Sequence, residues 1–446
     1  MKVLLVSSGL PPSGQWGTEF YTLELAEGLA RRGHEVSVLC PVTDGSRPRY
    51  TIEESERGSL RVFRVHNASR GGRALADSYE DPHLEMLFDQ LIDRLRPDVC
   101  HFLHLLWSLS ARLPLVARAR GVGSVVTLTD FGLLCHRGQL FDWRLENCGG
   151  PTSAEACARC IREPSRFDAA APAVFLKRWL VRAGALVGGL GYVVTAADVE
   201  RRASRIAESL SAVGALIAPT RALSSVFRNA GVGGDQLVHV PYALDERRFE
   251  AARRTAPAHP RRIAFLGQFA PHKGPATLLA AVRILEHRLP ESVEPWEVCF
   301  WGDASPGRHA RYPARLFGGQ LGPRVQVARP FTAARLPAVL SELSAVVVPS
   351  EWMENAPFVA LQARAAGVPV VASDVPGLRE VIEPGVHGLL FPPGDAEALA
   401  DALGEVIAGR LPRLLNIDWP FDSEQHVRRL EELYAASAER EVVGAR

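Results

Sequence analysis

The chain alternates short aliphatic runs with longer segments in which apolar residues recur every three or four positions. "KVLLVSSG" opens it as a strand that ends in small residues. After a loop, Tyr21, Leu25, Ala26 and Leu29 fall on one helical face, and Gly33 closes that helix before a second aliphatic run. The same order returns midway in "RRIAFLGQFAPHKGPATLLAAVRIL": a strand to Gly267, a loop, then a helix with Leu278, Val282, Leu285 and Leu289 on one face. "EVCFWG", "SAVVVPS", "ARAAG" and "VPVVASD" continue the alternation. Aliphatic strands alternating with amphipathic helices predict parallel sheets built from βαβ units.

At 446 residues the chain exceeds what one core supports, and the repeated strand–loop–helix opening predicts two such domains in tandem. The expected limits are 1–218 for the first domain, with a Cys-rich insertion at 135–160, and 219–418 for the second. The break falls in the region of "PYALDERRFEAARRTAPAHPRR", which is polar and rich in Pro and Arg. The tail, 419–446, reads as a helix that completes the first domain. The predicted class is α/β, two Rossmann-like domains facing a central cleft.

In open parallel sheets ligands sit at the C-terminal strand ends. That singles out three strand-to-helix loops: "SSGLPPSGQWGTE", "GQFAPHKG" and "PSEWMENAP". In the second, Lys273 stands just before a helix, where its charge adds to the helix dipole and free N–H groups to suit a diphosphate. A surface lysine in a Gly-bounded turn fits the spacing as well. No G-x-x-x-x-G-K-[ST] is present, which disfavours a Walker-type NTPase. In the third, Asn355 is expected to cap a helix with Pro357 in its first turn, Glu354 projecting ahead of it and Gln362 two turns in. A carboxylate beside donor-rich backbone suits a ligand that is both sugar and phosphate. A capping Glu and a solvent-facing Gln are the plainer alternative.

The bulk numbers narrow the field. There are 51 basic and 50 acidic side chains, a net charge of +1, so nothing global points to nucleic acid. "MKVLLVSSG" fits a buried strand better than a secretory leader, and no stretch reaches the roughly 20 apolar residues of a membrane span. Seven cysteines without a leader suit a reducing compartment. The expected location is cytoplasmic, at most on the inner face of a membrane.

"GTEFYTLELAEGLARRGHEVSVL", "VVTLTDFGLLC", "FLGQFAPHKG" and "PSEWMENAPFVALQARAAGVPVVASDVPGLREVIEPGVHGLLFPPGD" together resemble the retaining glycosyltransferases of family 4, which have the GT-B architecture. The last is the most specific: a glutamate, seven residues, a further polar position, then small residues and "GVPVV". The resemblance implies a nucleotide-sugar donor (UDP-, GDP-, dTDP- or ADP-linked) held mainly by the second domain, and a glycan, lipid-linked or small-molecule acceptor. It implies catalytic roles for Lys273, on the diphosphate, and Glu354, on a sugar hydroxyl. Gly17, Gly267, Gln268, Asn355, Ala356, Pro357, Phe358 and Gln362 would bind the donor, and Thr129 and Asp130 would face the acceptor. No cofactor is required for that chemistry. Asp245 matches a structural aspartate between the domains.

Three positions depart from the family pattern. Gln362 stands where a second glutamate usually holds the ribose, which turns a charge-assisted hydrogen bond into a neutral one at a cost of order 1 kcal/mol. Gln268 replaces an arginine on the diphosphate, leaving Lys273 as its main cation. Thr129 replaces a histidine, which puts a histidine-assisted mechanism in doubt. A degenerate protein that binds without turnover, or a GT-B epimerase or phosphorylase, stays open beside the transferase.

Cys135, Cys148, Cys157 and Cys160 form a C-x12-C-x8-C-x2-C array just after the acceptor-side strand. That pattern suits a closed four-thiolate site, with structural zinc the expected ion; free thiols, a disulfide or an iron–sulfur cluster are the alternatives. His101 and His104 either line the acceptor cleft or pack at a strand end. "VFLKRWLVR" combines Phe175 and Trp179 with basic residues, as expected of peripheral membrane association or of an ordinary packed helix.

Overall fold

The computed structural model describes residues 1–12, 17–68, 74–163, 193–255, 261–290, 295–303, 311–328, 331–420 and 422–444. Two sheets organise them. The first has the order β3-β4-β2-β1-β5-β6-β7-β8 and comprises β1 (Lys2–Val6), β2 (Glu35–Val42), β3 (Ile52–Arg57), β4 (Leu60–His66), β5 (Val99–Phe102), β6 (Gly123–Thr127), β7 (Ala215–Ala218) and β8 (Leu237–His239). The second has the order β11-β10-β9-β12-β13-β14, with β9 (Arg262–Leu266), β10 (Glu297–Trp301), β11 (Val325–Ala328), β12 (Ala345–Val348), β13 (Val370–Ser373) and β14 (Gly388–Phe391). Every pairing is parallel except β3 with β4.

The aliphatic runs form the centre of each sheet because both faces are covered. Val3 to Val6, Ala345 to Val348 and Val370 to Ser373 are all buried, which explains continuous rather than alternating apolar patterns. The helix Gly17–Arg31 buries Tyr21, Leu25, Ala26 and Leu29 as its periodicity predicts. The expected domain limit at 218 falls too early. β8 pairs in parallel with β7, so the helix Arg221–Asn229 and β8 go with the first sheet, and the second sheet begins only at β9.

Strand order locates the ligand edge. In the second sheet it reverses between β9 and β12; in the first, between β1 and β5. Loops leaving the C-terminal ends of those strands border a crevice by construction. The helix Ser423–Gly444 returns to the first domain and packs against β6. A Cβ at Gly123 would lie 2.7 Å from the amide nitrogen of Ala438, so the strand takes glycine where the helix backbone crosses it.

Two histidines fasten that helix. His426 pairs with Tyr21 through Nε2 and the phenol oxygen, 2.8 Å apart. His101 contacts the Tyr434 hydroxyl and Thr127 Oγ1, each at 2.7 Å. Burial pushes His101 down to about 3 and His426 down to about 4, with their mutual repulsion a smaller cause for His101. Both imidazoles are neutral when folded, whereas the unfolded chain takes up protons near the ordinary value of about 6.5. Stability is therefore full above about pH 6.5 and falls as pH drops towards the folded values, by up to about 1.4 kcal/mol per pH unit for each histidine. The urea midpoint is expected to fall between about pH 7.5 and pH 5, and to fall less steeply in His426→Gln; equal slopes for the two proteins would remove His426 from the linkage.

Candidate active site

The two loops at the switch point of the second sheet carry the predicted donor residues. One runs from Gly267, after β9, to Gly274; the other from Pro349, after β12, to Pro357. They are stitched together: the Glu351 amide donates to the His272 carbonyl at 2.9 Å, and Thr277 donates to the Glu351 carboxylate at 2.6 Å. Gly274 holds φ at +67°, and a Cβ there would collide with the Pro349 carbonyl. A Cβ at Gly377 would collide with the carbonyls of Glu354 and Asn355. The backbone carrying Glu354 is thus wedged between two positions that only glycine fits.

Lys273 and Glu354 meet there. The ammonium donates to Glu354 Oε1 at 2.6 Å, and Ser350 Oγ donates to the same oxygen at 2.6 Å. Glu354 is only 4% exposed, whereas about a quarter of the Lys273 side chain remains accessible, at 26%. The Lys273 nitrogen also lies 4.8 Å from the centroid of the Trp352 ring. A buried carboxylate needs this cation, since removing one partner of a buried pair typically costs about 3–5 kcal/mol. The partly exposed ammonium keeps donor capacity for an anion that approaches from outside.

Asn355 does something other than the sequence suggests. The helix begins at Phe358, and Pro357 occupies the capping position without contributing a side-chain hydrogen bond. Asn355 instead turns towards the first domain, where Oδ1 accepts from Thr220 at 2.9 Å and Nδ2 donates to the carbonyls of Leu128 and Thr129, each at 3.3 Å. Leaving the cap position empty keeps the first N–H groups of this helix free of a side-chain competitor. Ala356 and Phe358 are buried, and the Phe358 ring packs on Tyr21 and Tyr242. Gln362 follows on the same helix, half-buried. Across the domain boundary, a Cβ on Gly17 would lie 4.0 Å from that of Phe358. Gln268 is half-buried at the start of its loop, and Gly302 is tightly apposed to the Gly267 carbonyl.

On the first domain, His104, Thr129 and Asp130 line one small crevice with Leu103, Leu105, Leu106, Thr127 and Leu133. Asp130 accepts from the Gly132 amide at 2.7 Å, and Thr129 donates to the Leu103 carbonyl at 3.2 Å. His101 belongs to the core, fully buried under the tail helix. Asp245 caps the short helix Glu246–Phe249 and pairs with Arg247, as a structural residue does.

The four clustered cysteines occupy one neighbourhood. Cys157 and Cys160 sit three apart on the helix Ala154–Arg162, capped by Ser153. Burial raises the Cys148 and Cys157 thiols, and the other thiols of the set add to the rise. Among the described residues no group of three or more His, Cys, Asp or Glu side chains stands close enough to hold a metal ion. The segment "VFLKRWLVR" lies outside the described residues. No described helix is long and apolar enough to cross a membrane.

Sequence reasoning missed how firmly the first domain grips these two loops. Asn147 donates to the Glu351 carbonyl at 2.7 Å, Gln139 and His272 approach to 3.3 Å, and Phe131 meets Trp352 edge-on at 6.2 Å. Trp352, buried, joins the apolar cluster of the first domain. Glu380 of the second domain caps the first-domain helix Arg221–Asn229, accepting from the Arg221 and Ala222 amides at 2.8 and 2.7 Å. A cavity of about 300 Å³ lies at the same boundary. Nothing local in the sequence marks these contacts, because their partners lie more than a hundred residues apart.

Two parallel-sheet α/β domains with facing switch points define the GT-B class. Residues 17–243 match the family described as glycosyl transferase 4-like domain, and residues 260–409 match glycosyl transferases group 1. The chain belongs to glycosyltransferase family 4. It is similar to the D-inositol 3-phosphate glycosyltransferase of Xylanimonas cellulosilytica, 35% identical over 223 residues, covering 46% of this chain and 52% of that one. The enzyme of the same name from Corynebacterium urealyticum is 32% identical over 201 residues, covering 42% of this chain and 46% of its own. The chain thus spans about half the length of these curated relatives. Among solved structures, sucrose-phosphate synthase from Thermosynechococcus elongatus superposes with a TM-score of 0.64 at 20% identity, covering 100% of both chains. HepE from Anabaena, in complex with UDP and glucose, superposes with a TM-score of 0.61 at 15% identity, covering 98% of this chain and 99% of that one. These likenesses concern the fold.

Proposed function

We propose that this protein is a retaining glycosyltransferase that moves a sugar from a nucleoside diphosphate sugar to a hydroxyl of a glycan, lipid-linked or small-molecule acceptor. The observation that carries the reading is the buried Glu354 carboxylate paired with a partly exposed Lys273 beside an uncapped helix start. Lys273 takes the diphosphate charge, helped by the free N–H groups of the first turn of the helix Phe358–Ala365. Glu354, paired with Lys273, accepts a hydroxyl of the transferred sugar. Gln362 bonds the ribose through its amide oxygen, and Gln268 lends a neutral contact to the phosphates. Gly17 lets the first domain approach without a side chain in the way.

In the reaction the bond from the anomeric carbon to the diphosphate oxygen breaks as the bond to the acceptor oxygen forms on the same face. The acceptor proton passes to the departing phosphate oxygen. The residues then act by holding geometry and stabilising the leaving charge, and no side-chain base is required. A metal has no step in this scheme. The relatives named as inositol-phosphate transferases and the nucleotide-bound structural neighbours support a nucleotide-sugar donor and a hydroxylic acceptor.

The test is incubation with UDP-, GDP-, dTDP- and ADP-glucose, with proton NMR of released or transferred sugar. Release from one donor, with the product in the donor's own anomeric configuration, is the expected result. Inverted product contradicts retention. Binding of one nucleotide without release or transfer, across a broad set of acceptors, favours the degenerate alternative.

We also propose that Cys135, Cys148, Cys157 and Cys160 take up a structural zinc ion, around which the four thiols would have to close from the positions described above. Support comes from the spacing and from the shared neighbourhood of the four thiols. Protein purified without added metal should carry about one equivalent of zinc, and less than about a tenth of an equivalent of any metal sinks the site.

A further inference from the structure

The segment 103–111, which follows β5, is buried at every residue except two. His104 is half-buried, and Trp107 is 40% exposed. Trp107 also holds φ at +66°, a left-handed conformation that a bulky side chain rarely adopts. Its neighbours fix it there. The Trp107 amide donates to the Ser78 carbonyl at 2.8 Å, and the Ala111 amide to the Tyr79 carbonyl at 2.8 Å. The loop therefore spends backbone strain to turn its largest side chain outward, away from the core that takes Leu105, Leu106 and Leu109. Strain retained without burial in return is characteristic of functional positions.

The location gives that strain a purpose. β5 borders β1 where the strand order of the first sheet reverses, so the loop stands on the ligand edge of its domain. Leu105 and Leu106, which lead into Trp107, line the crevice that holds His104, Thr129 and Asp130. The indole ring lies 5.0 Å from the ring of His136, tilted by 54°. His136 sits on the turn in which the Phe131 amide donates to the Gly138 carbonyl at 3.1 Å, immediately after Asp130. The partly exposed indole thus stands beside an imidazole on the turn that follows Asp130, next in sequence to two residues that line the crevice.

We propose that Trp107 is the platform on which a pyranose or cyclitol ring of the acceptor stacks, with Asp130 and His104 receiving its hydroxyls. The inference rests on the transferase reading and narrows its acceptor to a polyhydroxylated ring. An indole face carries negative π density and a large apolar area. The C–H face of a sugar ring is apolar and slightly positive, while its hydroxyls point sideways, towards polar side chains at the rim. A linear polyol has no such face and gains little from the same platform.

The full chain labelled with fluorotryptophan gives one fluorine resonance that disappears in Trp107→Phe, which assigns it. The probes are methyl α-glucopyranoside, methyl α-mannopyranoside, methyl β-galactopyranoside and myo-inositol, with glycerol as the linear control. At least one ring compound should shift the Trp107 resonance saturably while glycerol leaves it in place. A resonance that none of the rings moves, or that glycerol moves equally, overturns the platform. Trp107→Gly relieves the left-handed backbone. It should melt no lower than the wild type, raise KM for an accepted ring compound by about tenfold or more, and change KM for the donor by less than about twofold. A lowered melting temperature shows a packing role and overturns the proposal. Turnover by the wild type with a silent Trp107 resonance overturns the platform alone, whereas failure of the wild type to cleave any nucleotide sugar overturns the transferase reading.

Discussion

A carboxylate buried as deeply as that of Glu354 survives only with a partner, and here one ammonium supplies it. Much of the surrounding architecture serves to hold these two groups at 2.6 Å. Lys273 comes from the loop after β9 and Glu354 from the loop after β12, strands that are adjacent only because the order of the second sheet reverses between them. Gly274 and Gly377 let backbone pass within distances that a Cβ forbids. Trp352 covers the pair with its ring and reduces the water around it, which strengthens the Coulomb term.

The same loops form the seam between the domains. Asn355 spends its whole amide on Thr220 and on two carbonyls of the first domain. Asn147 and Glu380 add hydrogen bonds in the two directions. Charge placement and domain approach are therefore one structural problem: a shift of the first domain pulls on the residues next to Glu354. The tail helix adds a second tie, through the buried pairs His426 with Tyr21 and His101 with Tyr434.

Much of this was legible in the residues and much was not. Parallel strands announce themselves by continuous aliphatic runs, and the helix stripes by their spacing, so both sheets followed from the pattern. The hairpin of β3 and β4 escaped because "IEESER" is polar at most positions, as an edge strand with one solvated face is. The domain limit escaped because β8 has three residues, too few to show a period. At the site, the places of Lys273 and Glu354 before helices left plainer readings open, and it was the family resemblance that assigned their roles. Asn355 was misread because a local rule, the capping preference of asparagine, competed with partners 135 and 227 residues away. For His101 the sequence left cleft and core both open, because strand ends are shared by cores and ligand sites alike.

The central claim is that Lys273 is the diphosphate cation and that Glu354 depends on it. Lys273→Met tests this most directly, because the alkyl stem can keep its contact with Trp352 while the charge is lost. Calorimetric titration of both proteins with the preferred nucleoside diphosphate and the matching monophosphate isolates the terminal phosphate. The account predicts that the wild type prefers the diphosphate by about tenfold or more, and that the preference collapses to less than about twofold in Lys273→Met. An equal preference in the two proteins would contradict it and place the phosphate cation elsewhere.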